Sequence, residues 1–482
     1  MNKKIIAVLL ADALAITTGL HAQQKPNVIL VLTDDQGLCH LGTYADQYRT
    51  EGIDKKLIDA ANTCMPTVDR LATEGMRFLN CHAAPTSAPS RTMLMTARYP
   101  QSMGIYSNLD FIKTDGPDAS VIFPIKAIKE AGYQTAMIGK WHLGSEDGKH
   151  PNDKGYDYYF GFNNAQTEKY NSKILYRNKT KAKAEGFLAD QFTDEATRFI
   201  RGTEGKPFFM YLCYNDPHGP LPDAPEKYIS KFNTGNHKDD NFYAYINAVD
   251  AGIDSVMHAL AAVGQLENTI IVFASDNGPT DNMPKPSSVD LRWFKRSVYE
   301  GGVRVPLVAW WPGHIPTRKT NSDLISFMDI MPTLLDATGI AMPNGQTYDG
   351  KSFLPQLLQK TNATFRTEPL FWAGDSYPDS PEWAILEKKW QKNNPNEWKY
   401  GFLPAGWYVI KQNWKLVNDG FAGTKLYDLS VDKGEQNDLS SGNPKKVREL
   451  SLEFAAFMKN KPKPIGWYEE KWNEFFKEKV EN

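Results

Sequence analysis

The 482-residue sequence has few cysteines, and none of them has the spacing of a metal-binding motif. The four cysteines are Cys39, Cys64, Cys81 and Cys213. They include no Cys-x-x-Cys pair, which argues against a zinc site built from thiolates. Their even number allows disulfides in an oxidising compartment, but buried free thiols explain them equally well. Both alternatives stay open at this point.

The chain also has no excess of charge of either sign. It contains 55 Lys and Arg residues against 57 Asp and Glu residues, for a formal net charge of −2. This balance argues against a nucleic-acid binder with an overall basic surface, so any anion site must be made locally. With no low-complexity tract and 41% hydrophobic residues, the chain has the composition of a globular protein with a large core.

Long apolar runs are missing except at the N-terminus. Lys3 and Lys4 precede a mostly apolar stretch over 5–20, and Ala22 offers a cleavage point. This pattern predicts a signal peptide over residues 1–22 and an exported protein, periplasmic or secreted. Because the run is short for a membrane span and Asp12 interrupts it, we expect no stable membrane anchor.

Four apolar runs in the rest of the chain predict strands buried on both faces, as in a parallel sheet covered by helices. Each run leads into polar residues that could carry chemistry: 27–32 into Asp34-Asp35, 133–138 into Lys140-Trp141-His142, 207–212 into Pro217-His218, and 269–274 into Asp276-Asn277. Ligands of open α/β sheets bind at the carboxyl ends of the strands. Four such endings on one edge would build a site.

The oxygen-bearing residues among these endings indicate a metal. Asp34, Asp35, Asp276 and Asn277 offer carboxylates and an amide, without a thiol or an imidazole. That donor set favours a hard divalent cation, Ca²⁺ or Mg²⁺, over zinc. The alternative for each pair is a solvated turn, since Asp and Asn are common turn residues.

The segment Ser87-Ala88-Pro89-Ser90-Arg91 predicts a turn that feeds a helix, with Ser87 just ahead of the helix N-terminus. Free backbone N–H groups and the helix dipole favour an anion there. Alone, this segment is a capped helix with arginines. Together with a metal and fixed cations, it would suit a small tetrahedral oxyanion.

These motifs, in this order from about residue 26 to 439, resemble those of the type I, formylglycine-dependent sulfatases of the alkaline-phosphatase superfamily. The nucleophile signature of that family is similar to residues 87–91 followed by Thr96-Ala97-Arg98. The remaining matches are Asp34-Asp35 with Gly37, the Lys/His motif 139–144, Pro217-His218, Asp276-Asn277-Gly278, Lys295 before Tyr299-Glu300-Gly301-Gly302, and a C-terminal signature over 426–439.

The resemblance implies an α/β fold of the alkaline-phosphatase type. We expect a large, mostly parallel or mixed sheet sandwiched by helices, and a smaller C-terminal α+β subdomain with an antiparallel sheet. The sequence changes texture near residue 365, where shorter alternating runs begin. The predicted catalytic domain is therefore 25–365, and the C-terminal subdomain is 366–482.

The nucleophile departs from the commonest family pattern, which has Cys where this chain has Ser87. The resemblance implies that a radical-SAM maturase converts Ser87 to formylglycine before export. The hydrated aldehyde has two hydroxyls, so one can attack sulfur and the other can then collapse to expel sulfate. A plain serine has no second hydroxyl, and its turnover would stall.

The resemblance also implies a role for each site residue. Arg91 would hold the attacking hydroxyl, and Lys140 and Lys295 would bind sulfate oxygens. His218 is the candidate acid for the leaving alcohol, and His142 is the candidate base for the collapse step. The implied metal ligands are Asp34, Asp35, Ser87, Asp276 and Asn277, with Ca²⁺ as the ion and Mg²⁺ as the alternative.

The predicted function is that of an exported sulfatase, a sulfuric ester hydrolase that acts on a sulfated carbohydrate of the glycosaminoglycan or mucin type. An arylsulfatase and a phosphonate or phosphodiester hydrolase of the same superfamily are the alternatives. An inactive glycan-binding relative ranks last, because every expected ligand is present. The expected partners are the sugar substrate and the maturase, and no nucleic acid.

Overall fold

The computed structural model describes residues 25–108, 116–284, 290–375, 392, 405–420 and 423–463. The predicted signal peptide lies outside the described residues. Among the helices that are described, none combines the length and apolarity needed to cross a membrane. All four cysteines are described, and each is a buried free thiol, so the structure supports buried thiols over disulfides.

Within the described residues, eleven strands form one mixed sheet in the order β10-β2-β9-β8-β1-β7-β3-β4-β5-β6, with β11 also paired to β2. The strands are β1 (Asn27–Thr33), β2 (Met76–His82), β3 (Gln134–Lys140), β4 (Tyr158–Phe162), β5 (Tyr176–Arg177), β6 (Thr180–Lys181), β7 (Phe208–Cys213), β8 (Thr269–Ser275), β9 (Arg304–Trp310), β10 (Lys319–Asn321) and β11 (Ile325–Ser326). Strands β8, β1, β7, β3 and β4 run parallel, whereas β9 is antiparallel to β8 and β2.

The parallel centre of the sheet is buried on both faces. Every residue of β1, β7 and β8 is buried, as the continuous apolar runs predict. The backbone ladder continues past the strand ends, because the N–H of Asp34 donates to the Asp216 carbonyl (3.1 Å) and that of Asp276 donates to the Thr33 carbonyl (3.1 Å). Three acidic residues are thereby held at one edge of the sheet.

Helices cover both faces of this sheet. They are α1 (Lys55–Thr63), α2 (Pro66–Glu74), α3 (Ser87–Thr96), α4 (Ile125–Glu130), α5 (Pro151–Lys154), α6 (Leu188–Arg201), α7 (Glu226–Ile229), α8 (His237–Ala262), α9 (Glu300–Val303), α10 (Ile330–Ala337), α11 (Leu354–Leu357) and α12 (Pro444–Met458). Successive residues of β1 belong to hydrophobic clusters on opposite faces of the sheet. Leu30 lies in the cluster that includes α3 and α10, and Val31 lies in the cluster that includes α2, α6 and α8. This alternation confirms the predicted sandwich.

A second sheet of four antiparallel strands follows, in the order β12-β13-β14-β15. Its strands are β12 (Leu370–Asp375), β13 (Ala405–Lys411), β14 (Trp414–Asn418) and β15 (Thr424–Asp428). Helix α12 packs on it, and the rings of Trp407 and Phe454 stack with centroids 4.3 Å apart. We call β12–β15 with α12 and the described residues between them the C-terminal sheet. Its presence confirms the predicted fold class, and the domain limits at 365 and 366 stay a prediction.

Candidate active site

The sheet topology brings the predicted strand endings together. Asp34 and Asp35 follow β1, Asp276 and Asn277 follow the neighbouring β8, and Lys140 ends β3. Strands β8, β1, β7 and β3 are adjacent and parallel, so their carboxyl ends share one edge. The contacts described below show that these side chains meet there.

Ser87 is the first residue of α3, with Thr86 as its N-cap, rather than the residue ahead of the helix. Its hydroxyl lies 3.3 Å from Asp34 Oδ1 and 3.3 Å from Asn277 Oδ1. The preceding turn is fixed by Ser90, whose hydroxyl donates to the Thr86 carbonyl (2.9 Å). Because the first turn of a helix leaves N–H groups without intrahelical partners, an anion is favoured beside Ser87.

Asp34 is fully buried among cations. Its Oδ2 accepts from Lys140 Nζ at 2.5 Å and lies 3.7 Å from Arg91 Nη2. Burial alone would raise the pKa of this carboxyl, but the positive charge of Lys140, His218 and Arg91 holds the pKa well below its usual range. Burial also lowers the pKa of the Lys140 ammonium, although Asp34 counteracts part of that effect.

Asp35 is the second buried carboxylate. Its Oδ1 accepts from Lys295 Nζ (2.5 Å) and from Asn277 Nδ2 (2.7 Å), and its Oδ2 lies 3.8 Å from His218 Nε2. Burial opposes ionisation, but Lys295 and His218 lower the pKa of Asp35 below its usual value. Asp35 has a left-handed backbone, with φ of 68°. Such strain in a non-glycine residue is commonly found at functional sites.

Asp276 pairs with the arginine of the nucleophile segment. Arg91 donates to Asp276 Oδ2 through Nη2 (2.8 Å) and Nε (3.1 Å), and its Nη1 donates to the Lys140 carbonyl (2.9 Å). Burial and the nearby charge of Asp34 together raise the pKa of Asp276 to about 6, although Arg91 and Lys140 oppose this rise. The arginine thereby ties α3, β3 and β8 together around one charge cluster.

The donor set of this cluster fits a divalent cation. Ligand atoms of Asp34, Asp35 and His218 all lie within 4.8 Å of one another, and Ser87 and Asn277 add oxygens beside Asp34. Buried carboxylates this close require positive charge between them, and here Lys140 and Lys295 supply it. Oxygen donors predominate, as hard cations prefer. The proximity of the His218 imidazole is the one departure from the oxygen-only prediction.

The two histidines are placed at neighbouring strand endings. His218 Nδ1 lies 2.7 Å from the Gly219 carbonyl, which can only accept, so this nitrogen carries the proton and Nε2 faces Asp35. Burial lowers the pKa of His218 to about 4. His142 is buried two residues beyond Lys140, with φ of 56°, and its N–H donates to the Asn163 carbonyl (3.1 Å). The catalytic roles of both residues stay predictions.

The structure adds a buried lysine that the sequence did not single out. Lys169 Nζ donates to Asp216 Oδ1 (2.7 Å) and to the Asn215 carbonyl, and its side chain is only 1% exposed. With its amide oriented to satisfy both neighbours, Asn215 donates to Asp34 Oδ2 (3.2 Å). Lys169 therefore supports Asp34 indirectly, because it holds Asn215 in place. Its buried position depends on contacts about 46 residues away, so no local motif marks it.

A cleft of about 500 Å³ opens beside the cluster. Its lining includes Asp35, His218 and Lys295 from the cluster, together with other residues of 217–221, the first turns of α8 and residues 280–284. This is enough space for one or two sugar rings next to the charged groups. The combination of a serine at a helix start, buried carboxylates, fixed cations and an adjoining cleft suits hydrolysis of an oxyanion ester.

The Sulfatase family model matches residues 26–340, which is more than half of the chain. The chain belongs to the sulfatase family. It is 33% identical to the uncharacterized sulfatase YdeN of Escherichia coli (strain K12), over 93% of this chain and 88% of that protein. It is 30% identical to the human N-acetylgalactosamine-6-sulfatase, over 70% of this chain and 67% of that enzyme.

Solved structures agree with this assignment. The crystal structure of Ps i-CgsB in complex with k-i-k-neocarrahexaose has a TM-score of 0.78 and 26% identity to this sulfatase. The match covers 94% of this chain and 97% of that chain. The similarity confirms the predicted fold class, and the family assignment confirms that the protein is a sulfuric ester hydrolase.

Proposed function

We propose that this sulfatase is exported, carries a formylglycine made from Ser87, and removes sulfate from a sulfated carbohydrate. The observation that carries the proposal is the position of Ser87. Its hydroxyl lies at a helix N-terminus, between oxygens of Asp34 and Asn277 and among the cations Arg91 and Lys140. This is where an oxyanion under attack would be best stabilised.

A divalent cation, Ca²⁺ or alternatively Mg²⁺, is part of the proposal. Asp34, Asp35, Asp276, Asn277 and residue 87 would hold it, with the His218 imidazole beside them. When bound, the ion would polarise sulfate oxygens and lower the pKa of a neighbouring hydroxyl. In its presence, Lys140 and Lys295 would be released from some of their pairing with Asp34 and Asp35 to face the sulfate.

Conversion of Ser87 requires a partner, which we propose is a radical-SAM maturase acting before export. The formylglycine would supply a hydrated aldehyde, whose second hydroxyl provides the exit that a plain serine lacks. The predicted signal peptide over 1–22 supports export to the periplasm or beyond, without a stable membrane anchor. The even charge balance argues against a nucleic-acid partner.

The chain's own residues would orient and neutralise the substrate. Arg91 is fixed by Asp276, so its guanidinium is held beside residue 87 without a cost in side-chain freedom at the moment of reaction. Lys140 and Lys295 would bind sulfate oxygens as fixed charges. His218, on the cleft side, would deliver a proton to the leaving alcohol once the negative charge of a bound sulfate ester has raised the pKa of this histidine from about 4. His142 would take a proton from the hydroxyl of residue 87.

The acid role of His218 has a specific test. A sugar alcohol is a poor leaving group and needs a proton, whereas a nitrophenolate does not. His218→Ala should therefore lose much more rate on a sugar sulfate than on 4-nitrophenyl sulfate. Equal losses on the two esters would contradict the acid role.

The proposed substrate class is supported by two relatives. One is named an N-acetylgalactosamine-6-sulfatase, and the other was solved with a neocarrahexaose. The cleft beside Lys295 has room for one or two rings of such a sugar. Two lysines facing one tetrahedral centre favour a sulfate monoester over the phosphonate or phosphodiester alternatives.

The experiment is sulfate release by protein expressed with and without a radical-SAM maturase. The panel contains sulfated monosaccharides, glycosaminoglycan disaccharides, 4-nitrophenyl sulfate, a phosphonate monoester and a phosphodiester. We expect maturase-dependent release from at least one sugar, with Ser87→Ala as the inactive control. Activity confined to the aryl ester or to the phosphorus compounds would replace the carbohydrate proposal. Activity independent of the maturase would overturn the formylglycine.

A further inference from the structure

The segment over 290–299, which carries Lys295, has side-chain contacts with the C-terminal sheet near both of its ends. Arg292 Nη1 donates to the Tyr427 hydroxyl (3.1 Å) and to the Glu435 carbonyl (2.8 Å). At the end of the segment, the Tyr299 hydroxyl lies 3.0 Å from Asp419 Oδ2. Arg292 also stacks on Tyr299, with Cζ 4.4 Å from the ring centroid. We call this segment the Lys295 segment.

Directly after the segment, α9 is held by a closed cluster of charge. Lys415 Nζ on β14 lies 2.8 Å from Glu300 Oε1 and 2.9 Å from Glu435 Oε1, and all three side chains are fully buried. Glu435 Oε2 also accepts from the Glu300 N–H at 2.6 Å. His82 on β2 and Arg304 on β9, both in the large sheet, also pair with Glu300. We call Glu300, Lys415, Glu435, His82 and Arg304 the Glu300 cluster.

Glu435 has an unusual backbone for its role. Its φ is 52°, in the left-handed region that a non-glycine residue rarely adopts. In that conformation its carbonyl accepts from Arg292 while its carboxylate reaches Lys415 and the N–H of Glu300. Glu435 therefore contacts Arg292 near the start of the Lys295 segment and Glu300 directly after its end. Backbone strain is commonly retained at positions with a functional role.

The segment and α9 in turn contact the backbone of the active site. Lys295 N–H donates to the Pro279 carbonyl (2.7 Å), and Arg296 N–H donates to the Pro85 carbonyl (2.7 Å), two residues before Ser87. The Gly278 N–H donates to the Gly302 carbonyl (3.0 Å), and a Cβ on Gly278 would lie only 1.9 Å from the Gly301 oxygen. Movement of α9 would therefore be transmitted to the turn that follows Asn277.

We propose that Arg292, Lys415 and Glu435 are positioning residues, through which the C-terminal sheet holds Lys295 at the sulfate site. The inference depends on the proposed role of Lys295 as a sulfate ligand. The C-terminal sheet then takes part in catalysis without contributing an atom to the charged cluster. Its contacts with the Lys295 segment fix the position of the Lys295 ammonium relative to Asp35 and to the first turn of α3.

The test variant is Arg292→Met, because Arg292 is half-buried and its loss removes two hydrogen bonds without stranding a buried carboxylate. The matched control is Lys411→Met, which breaks an ion pair between β13 and α12 elsewhere on the C-terminal sheet. Both are made in the full-length, maturase-treated protein with Ca²⁺ present. The measurements are kcat and KM on a sulfate ester, the Kd of inorganic sulfate, and hydrogen exchange over 290–299.

We expect Arg292→Met to weaken sulfate binding and raise KM by roughly 10-fold, a typical effect of losing a supporting contact. Exchange over 290–299 should accelerate, while Lys411→Met should leave sulfate affinity, KM and exchange there unchanged. In a Lys295→Ala background, Arg292→Met should have no further effect on sulfate affinity, since the two act through one group.

Two different failures are distinguishable. If Lys295→Ala leaves sulfate affinity unchanged, the proposed ligand role of Lys295 is wrong, and the exchange measurement still decides whether Arg292 holds the segment. If Arg292→Met behaves like Lys411→Met in exchange, KM and sulfate affinity, the positioning inference is overturned. Glu435→Gln, which can still accept from the Glu300 N–H, provides a second variant that should give a smaller shift in the same direction.

Discussion

The active-site cluster and the Glu300 cluster are both made of buried carboxylates paired with buried cations, but they differ in access. At the active site, Lys295 and His218 border an open cleft, and the His218 side chain is 19% exposed. In the Glu300 cluster, the side chains of Glu300, Lys415 and Glu435 have no exposed surface. Only the first cluster can exchange a protein cation for a ligand.

The clusters also differ in how their charges are satisfied. Lys415 bridges two carboxylates, and the Glu435 carboxylate also takes a backbone N–H, so the arrangement is complete as it stands. At the active site, three carboxylates and a serine hydroxyl converge from separate strands and a helix. Burial and shifted pKa values occur in both clusters, so they do not identify a catalytic site by themselves. Convergence of ligands beside a cleft does.

The largest expected effect is that of Ser87→Ala. Without the side chain that we propose becomes formylglycine, sulfate release should fall by about 10⁴-fold or more, as when a nucleophile is removed from other enzymes. Thermal unfolding should hardly change, because the hydroxyl makes only two long contacts of 3.3 Å. A variant that unfolds instead would give Ser87 a structural role and weaken the contrast between the clusters.

Lys415→Met should differ from Ser87→Ala in its large effect on stability. It leaves two buried carboxylates without their shared cation, and breaking a buried pair in this way costs about 3–5 kcal/mol of unfolding free energy. Urea denaturation monitored by fluorescence measures this loss. Adding Ca²⁺ should not restore the stability, since the side chains of Glu300 and Glu435 have no surface exposed to solvent. Restoration by Ca²⁺ would contradict the comparison.

Lys295→Ala likewise removes a cation that pairs with a buried carboxylate, but in the active-site cluster. Loss of a fixed cation at a developing charge typically lowers kcat by about 10²–10³-fold. Stability should also fall in the metal-free protein, because Asp35 loses its 2.5 Å partner. Here Ca²⁺ should recover most of the melting temperature, since it can replace the ammonium. Recovery of kcat as well would show that Lys295 does not contact sulfate.

Metal addition separates the clusters directly. A cation that binds only the folded protein stabilises it by about 2.7 kcal/mol at a concentration one hundred times its Kd. We expect the melting temperature to rise with Ca²⁺ and to fall after chelation, with Mg²⁺ as the comparison ion. Asp35→Asn should reduce the Ca²⁺ response. An unchanged response in that variant would remove Asp35 from the proposed ligand set.

The smallest effect is expected from Lys411→Met. Lys411 pairs with Glu449 and Glu453, but all three side chains are at least 27% exposed. Solvent-exposed pairs contribute about 1 kcal/mol or less. The variant should therefore unfold nearly as the parent does and keep its kcat. A loss of unfolding free energy as large as that of Lys415→Met would contradict the comparison. It would mean that burial of the Glu300 cluster does not explain why its disruption is destabilising.

Much of the site could be predicted because its residues lie at strand endings. The apolar runs of β1, β7 and β8 predict buried parallel strands, and parallel strands present their carboxyl ends at one edge. Asp34, Lys140 and Asp276 therefore meet as predicted. The helix begins earlier than predicted, since Ser87 is its first residue after the Thr86 N-cap rather than the residue ahead of it.

The supporting contacts could not be predicted, because they join residues that are distant in sequence. Lys415 lies in an alternating strand, where a charged residue indicates the solvent face, yet it is fully buried against Glu300, 115 residues away. Lys169 has the same character behind Asp34. A single sequence shows no local pattern for such pairs, and only the packing of distant segments in the folded chain reveals them.

The most direct test of the central proposal is the mass of the peptide over 78–91 from protein made with and without a radical-SAM maturase. The account predicts a loss of two hydrogen atoms at Ser87 with the maturase, and release of sulfate from a sulfated sugar by that sample alone. An unmodified Ser87 in protein that still turns over a sulfate ester would contradict it.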